Sequence, residues 1–154
     1  QGSGPPDTNA SAKCAIYGLT LQHTKAHIIR SFLEAIAMSL CRIVEAVEEM
    51  GIEVKEIRSL SGGAKSDLWC QIKADALGKP VVTMKNTEDA ACLGAALIAG
   101  AGIKLWPSLQ TAALRIAAED KRFVPNDNNR KVYAELLAKY KMLTENLKPI
   151  TRYL

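Results

Sequence analysis

Residues 56–78 read EIRSLSGGAKSDLWCQIKADALG, and the reading of this stretch decides the fold. Ile57 and Leu60 supply apolar residues to a short strand. Gly62 and Gly63 lack a Cβ, which lets the backbone turn sharply and lets a ligand come close. A helix is expected to begin near Ser66 or Asp67 and to close at Gly78, with Pro80 preventing its return. The first N–H groups of such a helix have no partner within it, and its dipole is positive at that end. Strand, glycine turn and helix N-terminus together make a natural phosphate site. A plain tight turn is the alternative reading. Asp67 suits the positive end of the helix. Trp69, Ile72 and Ala76 share a helical face, where Trp69 reads as core before it reads as a platform for a ligand ring. Asp75 reads as a hydrogen-bonded residue fixing helix to loop, with a contact near a bound ligand as the alternative.

Outward from this stretch, strands and helices alternate. Val81, Val82 and Thr83 give another strand, and Asn86 or Thr87 caps a helix rich in small residues, Ala90, Ala91, Gly94, Ala95, Ala96 and Ala99. Tight helix packing and the backing of a ligand cleft both explain that composition. Upstream, residues 15–19 (AIYGL) read as a strand, with a turn over 20–23 and Thr24 as a cap. Ile29, Phe32, Leu33, Ile36, Leu40, Ile43, Val47 and Met50 recur mainly at steps of three and four, one apolar stripe on a helix from Lys25 to Met50 that Gly51 stops. At ~1.5 Å per residue that helix is about 40 Å long. Downstream, a short helix is expected from Ser108 through Ala118 and a turn-rich loop over 123–129. A last helix runs from about Arg130 to Leu147 and ends at Pro149. The alternation argues for a layered α/β fold with parallel pairing among the strands at 15–19, 56–61 and 80–84.

Composition narrows the function classes. The chain has 154 residues, 48 % hydrophobic, 23 % charged and 5 % aromatic, which suits one globular domain of helices on a sheet. The net charge of +4 is spread along the chain without a basic block, so nucleic acid is not expected as a partner. Cys14, Cys41, Cys70 and Cys92 are far apart and form no C-x-x-C, which disfavours a metal site or a disulfide framework. They are expected to be small buried hydrophobes in a reducing compartment. His23 and His27 are four apart, as zinc ligands can be, yet no H-E-x-x-H accompanies them, and turn capping is the favoured role. No long apolar span suggests a membrane, and a cytoplasmic location is expected. Residues 1–13 read as a flexible tail or a cloning remnant.

The motifs then resemble a family. GLTLQHTKAH over 18–27 looks like a signature of the FGGY carbohydrate kinases. Ser61-Gly62-Gly63-Ala64-Lys65-Ser66 with Gln71, Ala74 and Asp75 looks like their glycine-rich motif, and EDAACLGAA over 88–96 looks like a third. Phe123-Val124-Pro125 followed by Tyr133 and Tyr140 resembles their closing pattern. Cys14 and Cys92 depart from it in minor ways.

The resemblance, strongest to xylulose kinases, implies an incomplete ribonuclease-H-like, actin-like ATPase C-terminal domain over residues 14–148, three layers with long helices on a short, mainly parallel sheet. It implies ATP and Mg²⁺ as cofactors, with Gly62, Gly63, Ala64, Lys65 and Asp67 as the nucleotide-contacting residues. Lys65 reads either as a neutraliser of phosphate or as a solvated amine. The sugar and the catalytic base are expected in an N-terminal half that this sequence lacks, so no catalytic residue and no metal ligand is assigned here. An apolar surface left by that half, and self-association through it as a homodimer, are further expectations. A non-catalytic interaction module, or a kinase for gluconate, ribulose or glycerol, is the alternative.

Overall fold

The strand β2 (Val81–Met84) is buried along its whole length and centres a three-stranded sheet. This computed structural model describes residues 2, 4, 6, 8–85, 89–116 and 118–151. On one side β2 pairs in parallel with β1 (Ile57–Ser59), in the register Ile57↔Val81 and Ser59↔Thr83. On the other it pairs antiparallel with β3 (Glu119–Phe123), with an irregularity between Val82 and Met84. The parallel pair is the expected one. β3 is an addition to the sequence reading, because Glu119-Asp120-Lys121-Arg122 has no apolar alternation to betray it. Its charged side chains suit an exposed sheet edge, where they oppose pairing with a further chain.

The sheet belongs to one of two compact units, formed by residues 55–74 and 79–124. A single 3₁₀ turn (Ser61–Ala64) leads from β1 into α2 (Asp67–Leu77), whose residues Cys70, Ile72 and Ala74 are buried with Val81, Val82 and Met84. The helices α3 (Ala90–Gly102) and α4 (Leu109–Ile116) pack on each other. In α3 the small residues have two fates. A Cβ at Gly100 would sit 2.6 Å from the Trp106 indole nitrogen, so tight packing requires glycine there. Ala91, Cys92, Ala95, Ala96 and Ala99 are exposed. The caps expected at Asn86 or Thr87 lie outside the described residues, as does Glu88.

The second unit comprises residues 1–54, 75–78 and 125–154. It pairs α1 (Lys25–Glu49) with α5 (Asp127–Thr151). Thr24 precedes α1 as expected, and its N–H and hydroxyl meet His27 Nδ1 at 3.1 and 2.9 Å. Past Met50, Gly51 and Ile52 donate to the carbonyls of Glu48 and Val47 and close the helix. The buried face of α1 is Ala37, Met38, Cys41 and Val44, with Tyr133 of α5 buried too. This corrects the apolar stripe: Ile29, Phe32, Ile36, Ile43 and Met50 are 41–69 % exposed. Close pairing with α5 uses the small and flexible residues of α1 and leaves the larger ones outside.

Three further expectations are corrected. Residues 15–19 form no strand; among the described residues nothing pairs with them, and Ile16 and Tyr17 instead line a cavity of about 400 Å³ with Phe32, Ala35, Tyr140 and Leu143. α5 starts at Asp127 rather than Arg130, because Asn126 caps it: its Oδ1 accepts from Asn128 N–H at 3.1 Å and its carbonyl from Asn129 N–H at 3.0 Å. The helix also runs through Pro149 to Thr151, where proline removes one hydrogen bond near the end without terminating the helix. Cys41 and Cys70 are buried as expected, whereas Cys14 and Cys92 are exposed. Burial, and then Glu45, push the Cys41 thiol up to about 11.

Candidate functional site

The site is built where β1 hands over to α2. Leu60 is still extended, and Ser61 then adopts φ +57°, the left-handed conformation of the turn. Gly62 and Gly63 have no positive φ, so the turn does not need glycine for its backbone angles. This corrects part of the sequence argument and sharpens the rest. A Cβ at Gly62 would meet nothing within 4 Å, and one at Gly63 would make ordinary contacts of 3.7–3.8 Å with Ser59, Lys73 and Trp69. Neither glycine is demanded by the chain itself. What Gly62 provides is a bare surface that another molecule can approach.

The turn is held from below. Lys65 N–H donates to the Gly62 carbonyl at 3.3 Å. Ser66 caps α2 by accepting from Trp69 N–H at 3.2 Å, and its carbonyl accepts from Cys70 N–H. The Gly63 carbonyl accepts from two groups, the Lys73 ammonium at 2.9 Å and the Cys70 thiol at 3.5 Å. Lys73 also donates to Ser59 Oγ at 2.7 Å and lies 5.0 Å from the Trp69 ring centroid. Lys73 is only 6 % exposed, and burial lowers its pKa from the usual lysine value, with Cys70 acting weakly the other way. Among the described residues its charge is met by a hydroxyl, a carbonyl and a ring, not by a carboxylate.

The structure brings the five expected residues onto one short stretch. Gly62 and Lys65 are exposed, and Gly63 and Ala64 are half-buried. Asp67 is exposed in the first turn of α2, and both of its carboxylate oxygens accept from Lys121 of β3 at 2.9 Å. The Lys121 ammonium is raised above its usual range by that carboxylate. Trp69 is half-buried over Lys73, a core role. Gln71 leaves the turn altogether and donates to the Val124 carbonyl at 2.9 Å.

Asp75 fulfils the fixing role. It is 4 % exposed; Oδ1 accepts from Asn126 N–H and Oδ2 from Asn129 Nδ2, both at 2.8 Å. His23 and His27 act as turn caps, each with Nδ1 accepting a threonine N–H, from Thr20 at 3.0 Å and from Thr24 at 3.1 Å.

Lys73 and Lys121 are the residues the sequence reading missed. Lys121 gave no local signal, since its partner is 54 residues away. Lys73 gave one: it stands three residues after Cys70 and four after Trp69, on the inner side of an amphipathic helix, where a lysine is out of place.

Comparison with known proteins places the chain. Residues 1–103 match the model of the FGGY family of carbohydrate kinases, C-terminal domain. A glycerol kinase of Deinococcus radiodurans is 42 % identical over 125 residues, 80 % of this chain and 25 % of that protein. A xylulose kinase of Staphylococcus epidermidis is 29 % identical over 150 residues, 97 % of this chain and 30 % of that protein. The crystal structure of Plasmodium falciparum glycerol kinase with ADP superposes with a TM-score of 0.72 at 30 % identity, over 93 % of this chain and 29 % of that one. The chain belongs to the FGGY family of carbohydrate kinases, matches its C-terminal domain and has its actin-like ATPase fold. It spans 25–30 % of the length of the curated relatives it matches. No helix among the described residues is long and apolar enough to cross a membrane.

Proposed function

We propose that residues 14–148 are the nucleotide-binding part of a cytoplasmic, ATP-dependent sugar kinase, a phosphotransferase acting on an alcohol group, with D-xylulose as the first-choice acceptor. The observation that carries this reading is the bare surface at Gly62 in the Gly62-Gly63 turn, where the chain's own conformation does not require glycine. A phosphate group can approach such a surface to hydrogen-bond distance, where each aligned contact contributes about 1 kcal/mol net. Lys65 supplies an exposed ammonium beside it. Asp67, with its carboxylate on Lys121, stands at the adenine side of the turn and acts there through a neutralised pair. Ala64 carries the least bulk a side chain can have at the step into α2.

Phosphoryl transfer depends on holding the polyphosphate while the terminal group moves in line. This chain's share is that grip. Mg²⁺, when bound with the nucleotide, spreads the charge of the phosphates. The sugar contacts and the base that takes the acceptor's proton are read as belonging to the rest of such a kinase. The xylulose reading is supported by a relative so named that matches 97 % of the chain. Glycerol is the second reading, supported by the 42 % identity of the Deinococcus radiodurans enzyme.

The test is a calorimetric titration of MgADP into this chain and into Gly62→Val. Saturable binding that the variant loses supports the site. Equal binding by both proteins contradicts it. Assay of the full-length kinase with D-xylulose, glycerol and D-gluconate separates the acceptors.

A further inference from the structure

A second feature of the turn is unexplained by the nucleotide reading alone. Lys73 buries an ammonium on α2 between Ile72 and Ala74, both buried apolar residues. A buried cation that lacks a carboxylate is costly, whereas methionine of similar length packs in such a place without that cost. The ammonium has a particular location. Its Nζ lies 3.8 Å from where a Gly63 Cβ would be, so the ammonium lies directly against the glycine turn. It also links three elements at once: Ser59 at the end of β1, the Gly63 carbonyl in the turn, and its own helix.

We propose that Lys73 is a positioning residue for phosphate binding, pinning the Gly62-Gly63-Ala64 turn through the Gly63 carbonyl and holding a fixed positive charge directly behind it. The inference rests on the nucleotide reading of the same turn. The charge-assisted bond of 2.9 Å fixes the Gly63 carbonyl more firmly than a neutral donor can, and the bond of 2.7 Å to Ser59 Oγ holds the ammonium in place. A charge set in a partly dehydrated place also acts more strongly on a nearby anion than the same charge in water. The nine-tenths burial that makes Lys73 expensive for folding is what makes it a fixed charge instead of a mobile one.

The experiment compares wild type, Lys73→Met and Lys73→Gln, with MgADP measured by calorimetry and adenosine by saturation-transfer NMR. Lys73→Met is expected to weaken MgADP binding about tenfold, leave adenosine unchanged and melt no lower than wild type. Lys73→Gln keeps a donor for the Gly63 carbonyl without the charge, and is expected to fall between the two. It also carries the test should the methionine variant misfold. A lysine that merely supports the fold would lower the melting temperature and weaken both ligands alike, and that result overturns the inference. So does MgADP affinity within twofold of wild type in both variants, which leaves the nucleotide site itself standing. A wild-type chain that binds adenosine and MgADP no better than the Gly62→Val variant overturns the site, and this inference with it.

Discussion

The second half of α2 carries two buried charges two residues apart, Lys73 and Asp75, and they are satisfied in opposite ways. Reaching back toward the turn, the Lys73 ammonium faces a hydroxyl, a carbonyl and an indole ring. The Asp75 carboxylate instead accepts from the Asn126 N–H and the Asn129 amide, the first groups of α5 and its cap. Asp75 accepts from donors at the start of α5, which is the arrangement of a structural residue. Lys73 sits under a bare surface with its charge uncancelled, which is the arrangement of a residue kept for something outside the chain. Burial alone does not separate structural from functional charge; the identity of the partners does.

The comparison breaks most visibly at Asp75. Asp75→Ala leaves the Asn126 N–H and Asn129 amide without their acceptor and is expected to cost about 3 kcal/mol, read by chemical denaturation. Asp75→Asn keeps one acceptor and is expected to lose less. If Asp75→Ala were as stable as wild type, the structural role would be refuted.

Gly62→Val is the reverse case. Its side chain enters open space, so stability stays within about 0.5 kcal/mol of wild type while MgADP affinity falls at least about tenfold. A variant that unfolds would show that the turn is structural after all.

The third prediction uses pH. Burial lowers the Lys73 pKa, so the folded protein releases that proton at a lower pH than the unfolded chain, whose lysine titrates near 10.5. Between those two values the unfolded state binds more protons, and wild-type stability rises with pH relative to Lys73→Met. Cys41 and Tyr133, whose pKa values burial raises, act in the opposite sense, and both proteins share them. The difference between the two denaturation profiles therefore isolates Lys73, and a flat difference from pH 7 to 10.5 would contradict its burial as an ammonium.

The smallest effect is expected at the exposed pair. Lys121→Ala leaves the melting temperature unchanged, because solvent screens its bond to Asp67.

How much of this was legible in the residues differs along the chain. The β1–turn–α2 unit could be read directly, since Ile57 and Leu60, Asp67 in the first turn of α2 and Gly78 at its end are local signals; Gly62-Gly63 marked the place of the turn although its backbone angles do not need glycine. β2 followed from its apolar run. β3 could not, because its place is set by backbone pairing with β2 and its side chains are charged. The stripe on α1 was counted correctly, yet Ile29, Phe32, Ile36, Ile43 and Met50 are exposed while Leu33, Leu40 and Val47 are half-buried, because periodicity identifies an apolar face without saying which neighbour covers it. Asn126 was taken for a turn residue because the side chain that favours turns is the one that caps helices. Of the site, the five expected residues fall within residues 62–67 and their positions followed from motif. Lys73 was in view as an ill-placed lysine on an amphipathic helix, and only its contacts with Ser59 and Gly63 gave it a role.

The most direct test of the central claim is the amide spectrum of the ¹⁵N-labelled chain during addition of MgADP. The account predicts that the largest shift changes fall on Gly62, Gly63, Ala64, Lys65 and Asp67. Changes centred instead on the cavity beside Ile16 and Phe32, or none up to millimolar ligand, would contradict it.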